Sequence, residues 1–198
     1  AGTYDAAAGE VFPVVFEKIA SLRLVGAGET DTIIDGTGAN QGLLSFITVA
    51  DVQASGLTFT GADAVSQVLD EKQGGAVAVA RSGGMVFRDC RFADNTFDVA
   101  TSSYGGGVGF DRSSALVERC WITDNTVKSG RNVYGGGIGA YGGTLDVVAC
   151  VVVSNKIVFS GWGALGGGVC FSDTCGGLLR NSLVVGNQLQ SHDGANGV

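Results

Sequence analysis

Residues 85–95 read MVFRDCRFADN, and the same pattern returns as ALVERCWITDN at residues 115–125 and as LDVVACVVVSN at residues 145–155. Each copy is followed by a triple glycine, at residues 105–107, 135–137 and 166–168. The cysteines of the three copies, Cys90, Cys120 and Cys150, are 30 residues apart. An internal period of this size is typical of solenoids, propellers and other repeat arrays.

The apolar residues within each repeat indicate short β-strands. They alternate two apart, as at Leu57 and Phe59 or at Cys90 and Phe92, and turn-forming residues separate the runs. One unit of three short strands cannot bury its apolar residues alone, so successive units must stack. A propeller blade would need about 40 residues, and a leucine-rich repeat would show its own consensus. The sequence therefore predicts an all-β fold, a single-stranded parallel β-helix (solenoid) of about six turns of roughly 30 residues.

Stacking places equivalent residues of successive turns about 4.8 Å apart, so each position of the repeat becomes a row along the solenoid. One inward row contains Leu57, Cys90, Cys120, Cys150 and Ser182, and we expect its thiols to behave as small apolar groups. The neighbouring apolar row contains Phe59, Phe92, Ile122, Val152 and Val184. A turn row contains Asn95, Asn125, Asn155 and Asn187, for which we predict an asparagine ladder with unusual backbone angles at the asparagines.

Outward charges also fall into rows. Arg88 is predicted to lie over Glu118, and Asp89 over Arg119, so that each charge meets its opposite in the next turn. We interpret these four residues as structural pairs. The alternative is that they form a catalytic cluster.

Two short motifs carry a family resemblance. FADN at residues 92–95 is an F-x-x-N motif, and GGAV at residues 74–77 is a G-G-A-[ILV] motif. Their alternation over residues 57–198 resembles the repeats of the chlamydial polymorphic outer-membrane proteins and related β-helical surface proteins. Residues 1–61 resemble, more broadly, the first turns of right-handed β-helix proteins, which include pectin-modifying enzymes. The resemblance implies a right-handed helix in an adhesin-like, extracellular or cell-surface structural protein.

We expect residues 1–198 to form a single β-helix domain, with N-terminal turns over residues 1–61 and regular repeats over residues 62–198. Neither end of the sequence shows an amphipathic cap, which predicts a segment of a longer chain. Neighbouring chain segments are then expected as partners at the open ends of the helix.

Composition excludes several kinds of site. The formal net charge is −7 and basic residues are dispersed, which disfavours nucleic acid as a partner. No apolar run is long enough to span a membrane. We predict no catalytic set, because His192 is the only histidine. We also predict no metal site and no cofactor, because no Cys/His tetrad has zinc spacing and Asp111 is not repeated in the next turn.

The two remaining cysteines form a separate pair. Cys170 is predicted to occupy an outward position and Cys175 the following turn. The two are placed either to form a disulfide, which would indicate an oxidising compartment, or to remain thiols.

The loops between the asparagines and the glycines give the best functional lead. They share one side of the predicted helix and vary in sequence while the surrounding repeats stay regular, as partner-binding loops of solenoids do. The candidate binding residues on this face are Tyr104, Lys128, Arg131, Tyr134, Phe159 and Trp162. We expect a protein or glycan partner here; alternatively, Tyr104 and Tyr134 stack and cover the core.

A carbohydrate-active enzyme of the polysaccharide lyase or hydrolase type, or an inactive relative of one, is the competing interpretation. Such enzymes need paired carboxylates on adjacent turns. Asp94 and Asp124 are the one such pair at a regular position, and Ser154 and Gly186 end the row. Solvated turn residues are the simpler explanation, so an enzyme is the less favoured of the two classes.

Overall fold

The computed structural model describes residues 1–64, 74–99, 102–160 and 163–191. Within these residues the regular structure consists of β-strands, which pair in parallel and stack turn upon turn into four sheets. The predicted all-β parallel solenoid is confirmed. The described residues form no helix that is long and apolar enough to cross a membrane.

Two large sheets form the body of the solenoid. Sheet one contains β1 (Gly2–Asp5), β4 (Thr32–Asp35), β7 (Thr58–Thr60), β11 (Arg91–Ala93), β15 (Trp121–Thr123), β19 (Val151–Val153) and β24 (Leu183–Val185). Sheet two contains β2 (Val14–Glu17), β3 (Leu22–Val25), β5 (Leu44–Ile47), β6 (Val52–Ser55), β9 (Val77–Ala80), β10 (Met85–Arg88), β14 (Val108–Glu118), β18 (Ile138–Val148), β22 (Val169–Ser172) and β23 (Gly176–Arg180).

Two smaller sheets are built by the loops that follow sheet one. Sheet three contains β8 (Asp63–Ala64), β12 (Thr96–Val99), β16 (Thr126–Ser129), β20 (Lys156–Phe159) and β25 (Gln188–Ser191). Sheet four contains β13 (Ser103–Tyr104), β17 (Val133–Tyr134) and β21 (Ala164–Leu165). Among the described residues, the first two turns contribute no strand to either sheet.

The register between turns reproduces the repeat of the sequence. Phe92 pairs with Ile122, a step of 30 residues (122 − 92), and Ile122 with Val152, again 30 (152 − 122). Ile34 pairs with Phe59, a step of 25 (59 − 34), because that early turn is shorter. The described strands thus make about six turns, as the repeat predicts, and β24 and β25 begin one more.

A continuous apolar core fills the solenoid. Phe59 and Phe92 stack with their ring centroids 5.0 Å apart, and Phe87 meets the edge of Phe92 at 5.7 Å. Cys90, Cys120 and Cys150 are buried free thiols in this core, as the thiol row predicts. Because the rows pack against their own equivalents, the repeat buries what one unit could not.

Corners at which Cys, Ser or Asn follows the turning residue share one arrangement. A residue with positive φ turns the chain, and the next side chain points inward and accepts the backbone N–H of its equivalent one turn earlier. At one corner, the Cys120 N–H donates to Cys150 Sγ at 3.5 Å, and the Cys150 N–H donates to Ser182 Oγ at 3.0 Å. At another corner, the Ser82 N–H donates to Ser113 Oγ at 3.0 Å. The thiols therefore act as hydrogen-bond acceptors and are more than apolar filling.

The asparagine ladder forms at the third corner. The Asn95 side-chain amide donates to Asn125 Oδ1 at 2.9 Å, and the Asn125 and Asn155 amides continue the chain to Asn187, each at 2.9 Å. The prediction of unusual angles at the asparagines is wrong. The positive φ belongs to the preceding residues, with φ of 57° at Asp94, because the asparagine must keep its side chain inside.

The predicted charge pairs are also present. Arg88 Nε donates to a Glu118 carboxylate oxygen at 2.6 Å, and Arg119 donates two hydrogen bonds to Asp89 at 2.7 and 2.8 Å. Arg119 also lies 3.4 Å from Glu118, which joins the two pairs. The neighbouring arginine lowers the pKa of each carboxyl, through hydrogen bonding first, in agreement with the structural interpretation.

Candidate binding face

The loops between sheet one and sheet two stack into a ridge along one side of the solenoid. We call the strands of sheets three and four, with the described residues that join them, the loop ridge. Within the described residues, three loops leave the asparagine corner along β12, β16 and β20 of sheet three and return along β13, β17 and β21 of sheet four. Because loops of successive turns pair in register, the ridge is as regular as the body beneath it.

The loop ridge has a small core of its own. Ala64, Phe97, Val127, Val133 and Ile157 are buried together in a cluster separate from the main core. The candidate residue Phe159 is partly buried and packs against this cluster. Its ring therefore contributes to the support of the ridge.

Glycines allow the returning strand to lie directly on sheet two. At Gly139, a Cβ atom would stand 2.0 Å from the carbonyl oxygen of Tyr134. Gly109 has the same relation to Tyr104, at 2.2 Å. Gly105 and Gly135 turn the chain with φ of 67° and 79°, which favours glycine. The repeated glycine signal thus fixes the position of the ridge.

The candidate tyrosines stack at the base of the ridge. The Tyr104 ring lies 5.2 Å from Tyr134 and 5.3 Å from Tyr141, both in stacked orientation. Tyr104 is only 1% exposed, and burial raises the pKa of its phenol well above the usual range. Tyr134 is half-buried. The structure thus places Tyr104 in the interior, which agrees with the alternative that the two tyrosines stack and cover the core. Tyr141 was missed, although an exposed-looking aromatic just after a glycine signal marks it in the sequence.

Lys128 and Arg131 are the exposed members of the candidate set. Lys128 lies on β16 beside Asp98 of the preceding turn, and Arg131 lies in the short connection between β16 and β17. Arg131 lines a cleft of about 330 Å³ with Ser102, Gly130 and Asn132. The Arg131 N–H donates to Ser129 Oγ at 3.1 Å, which holds the loop end in place. The exposed surface of the ridge therefore carries both signs of charge, together with the exposed apolar residues Leu165 and Leu189.

Two residues of the sequence analysis lie outside the described residues. These are Trp162, the candidate aromatic residue of the fourth loop, and His192, the only histidine. Neither contributes to the geometry described above.

Cys170 and Cys175 are both free thiols in the structure. Cys170 is buried, because the returning loop covers it at Gly166. Cys175 is half-buried and packs against the main core. The structure contains no bridge between the two.

The carboxylates considered as metal ligands or catalytic groups are either exposed at corners of the solenoid or paired with an arginine. Asp94 and Asp124 are exposed corner residues of adjacent turns, each with φ of 57°. Asp111 is buried, and its carboxylate accepts a hydrogen bond from Arg112 at 2.9 Å. Within the described ranges, no group of three or more His, Cys, Asp or Glu residues is gathered as metal ligands would be.

The sequence model described as "Right handed beta helix region" matches residues 32–197, most of the chain. The chain belongs to this family. The family is right-handed, as the resemblance implied, and the matched region includes residues 32–61 of the N-terminal turns. No curated protein and no solved structure gives a significant match.

Membership in the right-handed β-helix family is broader than the resemblance to chlamydial repeats, which stays a prediction. The first strands, β1 to β3, precede the matched region, yet they pair in parallel with β4, β5 and β6. They therefore continue the β-helix of the matched region.

Proposed function

We propose that this β-helix is a structural and binding module of a secreted or surface-exposed protein, and that it engages a protein or glycan partner through the loop ridge. The observation that supports this is the separate core of the ridge. Ordering a loop costs about 1–2 kcal/mol per residue in backbone entropy, and loops of no use need not be ordered. Here Phe97, Val127 and Ile157 offset that cost and make a rigid platform.

The charged residues of the loop ridge indicate the chemistry of the partner. The chain carries a formal charge of −7, yet Lys128 and Arg131 are exposed on the ridge and Lys156 is half-buried one turn further, against the exposed Asp98 beside Lys128. A partner with acidic groups at its contact surface is attracted to this part of the ridge, whereas the rest of the chain repels it. Arg131 offers a planar donor that suits carboxylates.

The test is charge reversal on the ridge. The double variant Lys128→Glu/Arg131→Glu is compared with Arg23→Glu, an exposed arginine of β3 far from the ridge, on immobilised extracellular proteins and on acidic glycans. Loss of binding in the ridge variant alone supports the proposal. Equal binding by both variants contradicts it. The two sets of probes distinguish a protein from a glycan partner.

A carbohydrate-active enzyme is the second candidate. It is favoured by one observation, the exposed carboxylates Asp94 and Asp124 at equivalent corners of adjacent turns. Strands of adjacent turns lie about 4.8 Å apart, close to the roughly 5–5.5 Å carboxyl separation of retaining glycosidases. Turnover of polysaccharides that is abolished by Asp94→Asn or Asp124→Asn would replace the binding-module proposal. Turnover unaffected by both variants would remove this pair from consideration.

A further inference from the structure

A second cleft lies at the corner between sheet two and sheet one, away from the loop ridge. Its volume is about 300 Å³, at the lower end of the range for small-molecule sites. It is lined by Gly28, Glu29, Gly56, Asp89, Arg119 and Trp121. These residues come from successive turns, so the cleft runs along the solenoid axis.

The floor of the cleft is a column of corner residues. Gly56, Asp89 and Arg119 have φ of 63°, 50° and 52° and occupy equivalent positions in three successive turns. At Gly56 a Cβ atom would stand 3.1 Å from the Gly26 carbonyl oxygen, so the loop of residues 26–31 packs directly against this corner. The cleft therefore lies between that loop and the side chains of Asp89 and Arg119.

The upper wall of the cleft is a fixed loop. Residues 26–31 leave the first turn before β4, and the Thr58 hydroxyl donates to the Glu29 carbonyl oxygen at 2.6 Å. The Ala27 N–H donates to Thr32 Oγ1 at 2.9 Å, and the Asp31 N–H donates to the Gly28 carbonyl at 3.1 Å. The wall does not have to be ordered when a ligand binds, which favours affinity.

Trp121 forms the lower wall. It is 49% exposed, whereas the residues that flank it in its row, Arg91 and Val151, are a charged residue and a small apolar one. An indole ring offers a large, rigid contact area at a low entropic cost and prefers one wet edge. Trp121 is the aromatic side chain of the cleft, and its exposed face is the surface there on which an apolar ring face can stack.

The polar groups of the cleft are oriented in advance. Arg119 donates to both carboxylate oxygens of Asp89, at 2.7 and 2.8 Å, which holds the two side chains in one plane. Hydrogen bonding to Arg119 lowers the pKa of Asp89, so that its carboxylate remains an acceptor at neutral pH. Arginine has five N–H donors, so some remain beyond those that Asp89 uses. A donor and an acceptor side by side match the adjacent hydroxyls of a sugar.

The charges at the cleft nearly cancel. Glu29 and Asp89 stand against Arg119 and against Arg91, which lies beside Trp121, whereas the chain as a whole has a formal charge of −7. A uronate or sulfated chain would have to approach against this charge. An uncharged ligand with many hydroxyls and an apolar ring face meets no such barrier.

We propose that this cleft binds a short neutral oligosaccharide, with one sugar ring stacked on Trp121 and its hydroxyls bonded to Asp89 and Arg119. This site lies outside the loop ridge and does not depend on the proposed function of the ridge. A chain that binds a protein with its ridge and a neutral glycan at the corner has two independent contacts.

Tryptophan fluorescence gives a direct test. Trp162→Phe leaves Trp121 as the one tryptophan, and this protein is titrated with neutral gluco-, galacto-, manno- and xylo-oligosaccharides of two to four units at up to millimolar concentration. We expect a saturable change in fluorescence with at least one of them. Calorimetry with the same sugar, using the Trp121→Ala variant, should show affinity reduced at least about tenfold, equal to about 1.4 kcal/mol.

Three variants make the result specific. Trp121→Phe keeps part of the stacking surface and should retain part of the affinity, which separates a lost contact from a lost fold. Arg119→Lys should weaken binding, because lysine lacks the planar donors. Leu165→Ala, at an exposed apolar residue of the loop ridge, should leave saccharide binding unchanged.

Several outcomes would overturn the proposal. These are no saturable binding by any neutral oligosaccharide of the panel, binding that Trp121→Ala does not weaken, and preference for polyuronate or for a peptide over the neutral sugars. The ridge variant Lys128→Glu/Arg131→Glu should leave this site intact, so failure here and failure of the proposed function are distinguishable.

Discussion

The side-chain amide of Asn95 donates to Asn125 Oδ1 at 2.9 Å, although the two residues are 30 positions apart in the chain. The same oxygen lies 3.3 Å from the backbone N–H of Asn95. The Asn125 amide in turn donates to Asn155 and to the Phe92 carbonyl, both at 2.9 Å. The buried asparagine of each turn therefore makes hydrogen bonds to backbone groups of two turns. These groups lie inside the core, where water cannot satisfy them.

Loss of a central asparagine should be costly. Asn125→Ala leaves several buried donors and acceptors without partners, and each costs about 1–3 kcal/mol. We expect the free energy of unfolding to fall by about 3–5 kcal/mol in chemical denaturation. Asn187→Ala is the matched control. Asn187 is half-buried, so water replaces part of its bonding and the loss should be about 1–2 kcal/mol. Equal losses would contradict this account.

The thiol row gives a second prediction. Since Cys150 Sγ accepts the Cys120 N–H, and Ser182 already performs the same role one turn later, Cys150→Ser should cost less than about 1 kcal/mol. Cys150→Ala removes the acceptor and should cost about 1–3 kcal/mol. Denaturation of both variants decides the order. If alanine were tolerated better than serine, the thiols would be apolar filling after all.

The repeated glycines give a third prediction. Gly139→Ala brings a Cβ to 2.0 Å from the Tyr134 carbonyl oxygen, so the loop ridge must move away from sheet two. We expect a loss of about 1–3 kcal/mol or more in stability, together with a change in the near-ultraviolet circular dichroism of the stacked tyrosines. Gly130→Ala is the control: a Cβ there meets nothing within 4 Å, so the change should stay within about 0.5 kcal/mol. A Gly139→Ala protein as stable as the parent protein would contradict this explanation of the ridge position.

The pH dependence of alkylation tests the remaining cysteines. Burial raises the pKa of Cys170 to about 11 and also raises that of Cys175. Because the thiolate is the reactive form, a raised pKa means slow alkylation near neutral pH and a rate that climbs about tenfold per pH unit until the pKa is reached. Mass spectrometry of unreduced native protein, alkylated between about pH 7 and 9.5, should show this climb at both residues, with Cys175 faster.

A disulfide between the two would give a different result. Neither residue would then be alkylated at any pH before reduction, and both would appear after it. Both residues are free thiols in the structure, so we expect labelling without reduction.

Much of the fold follows from the repeat itself. A 30-residue period that returns Cys, an apolar residue and Asn at fixed positions has few solutions, and stacking places equivalent residues side by side whatever the details of the turns. For this reason the inward rows, the asparagine ladder and the pairs Arg88–Glu118 and Asp89–Arg119 could be predicted residue by residue. The backbone angle at Asn95 could not, because the sequence does not say which of two adjacent turn residues, Asp94 or Asn95, takes the positive φ.

The candidate site was less predictable. Variable loops on one side could be recognised, but their strands, their separate core and the burial of Tyr104 depend on how each loop folds back onto the next. Tyr141 joins the stack from sheet two, a contact between residues that no periodicity relates. The corner cleft at Trp121 likewise depends on a loop from the first turn reaching along the axis.

The sequence by itself thus determined the architecture, its turn length and the rows that hold it together, because a repeat turns sequence positions into spatial neighbours. Tertiary structure alone decided which loop residues are exposed, which aromatic rings and thiols the loops bury, and where a cleft remains. Those properties come from packing between rows and between loops, and the repeat places no constraint on them.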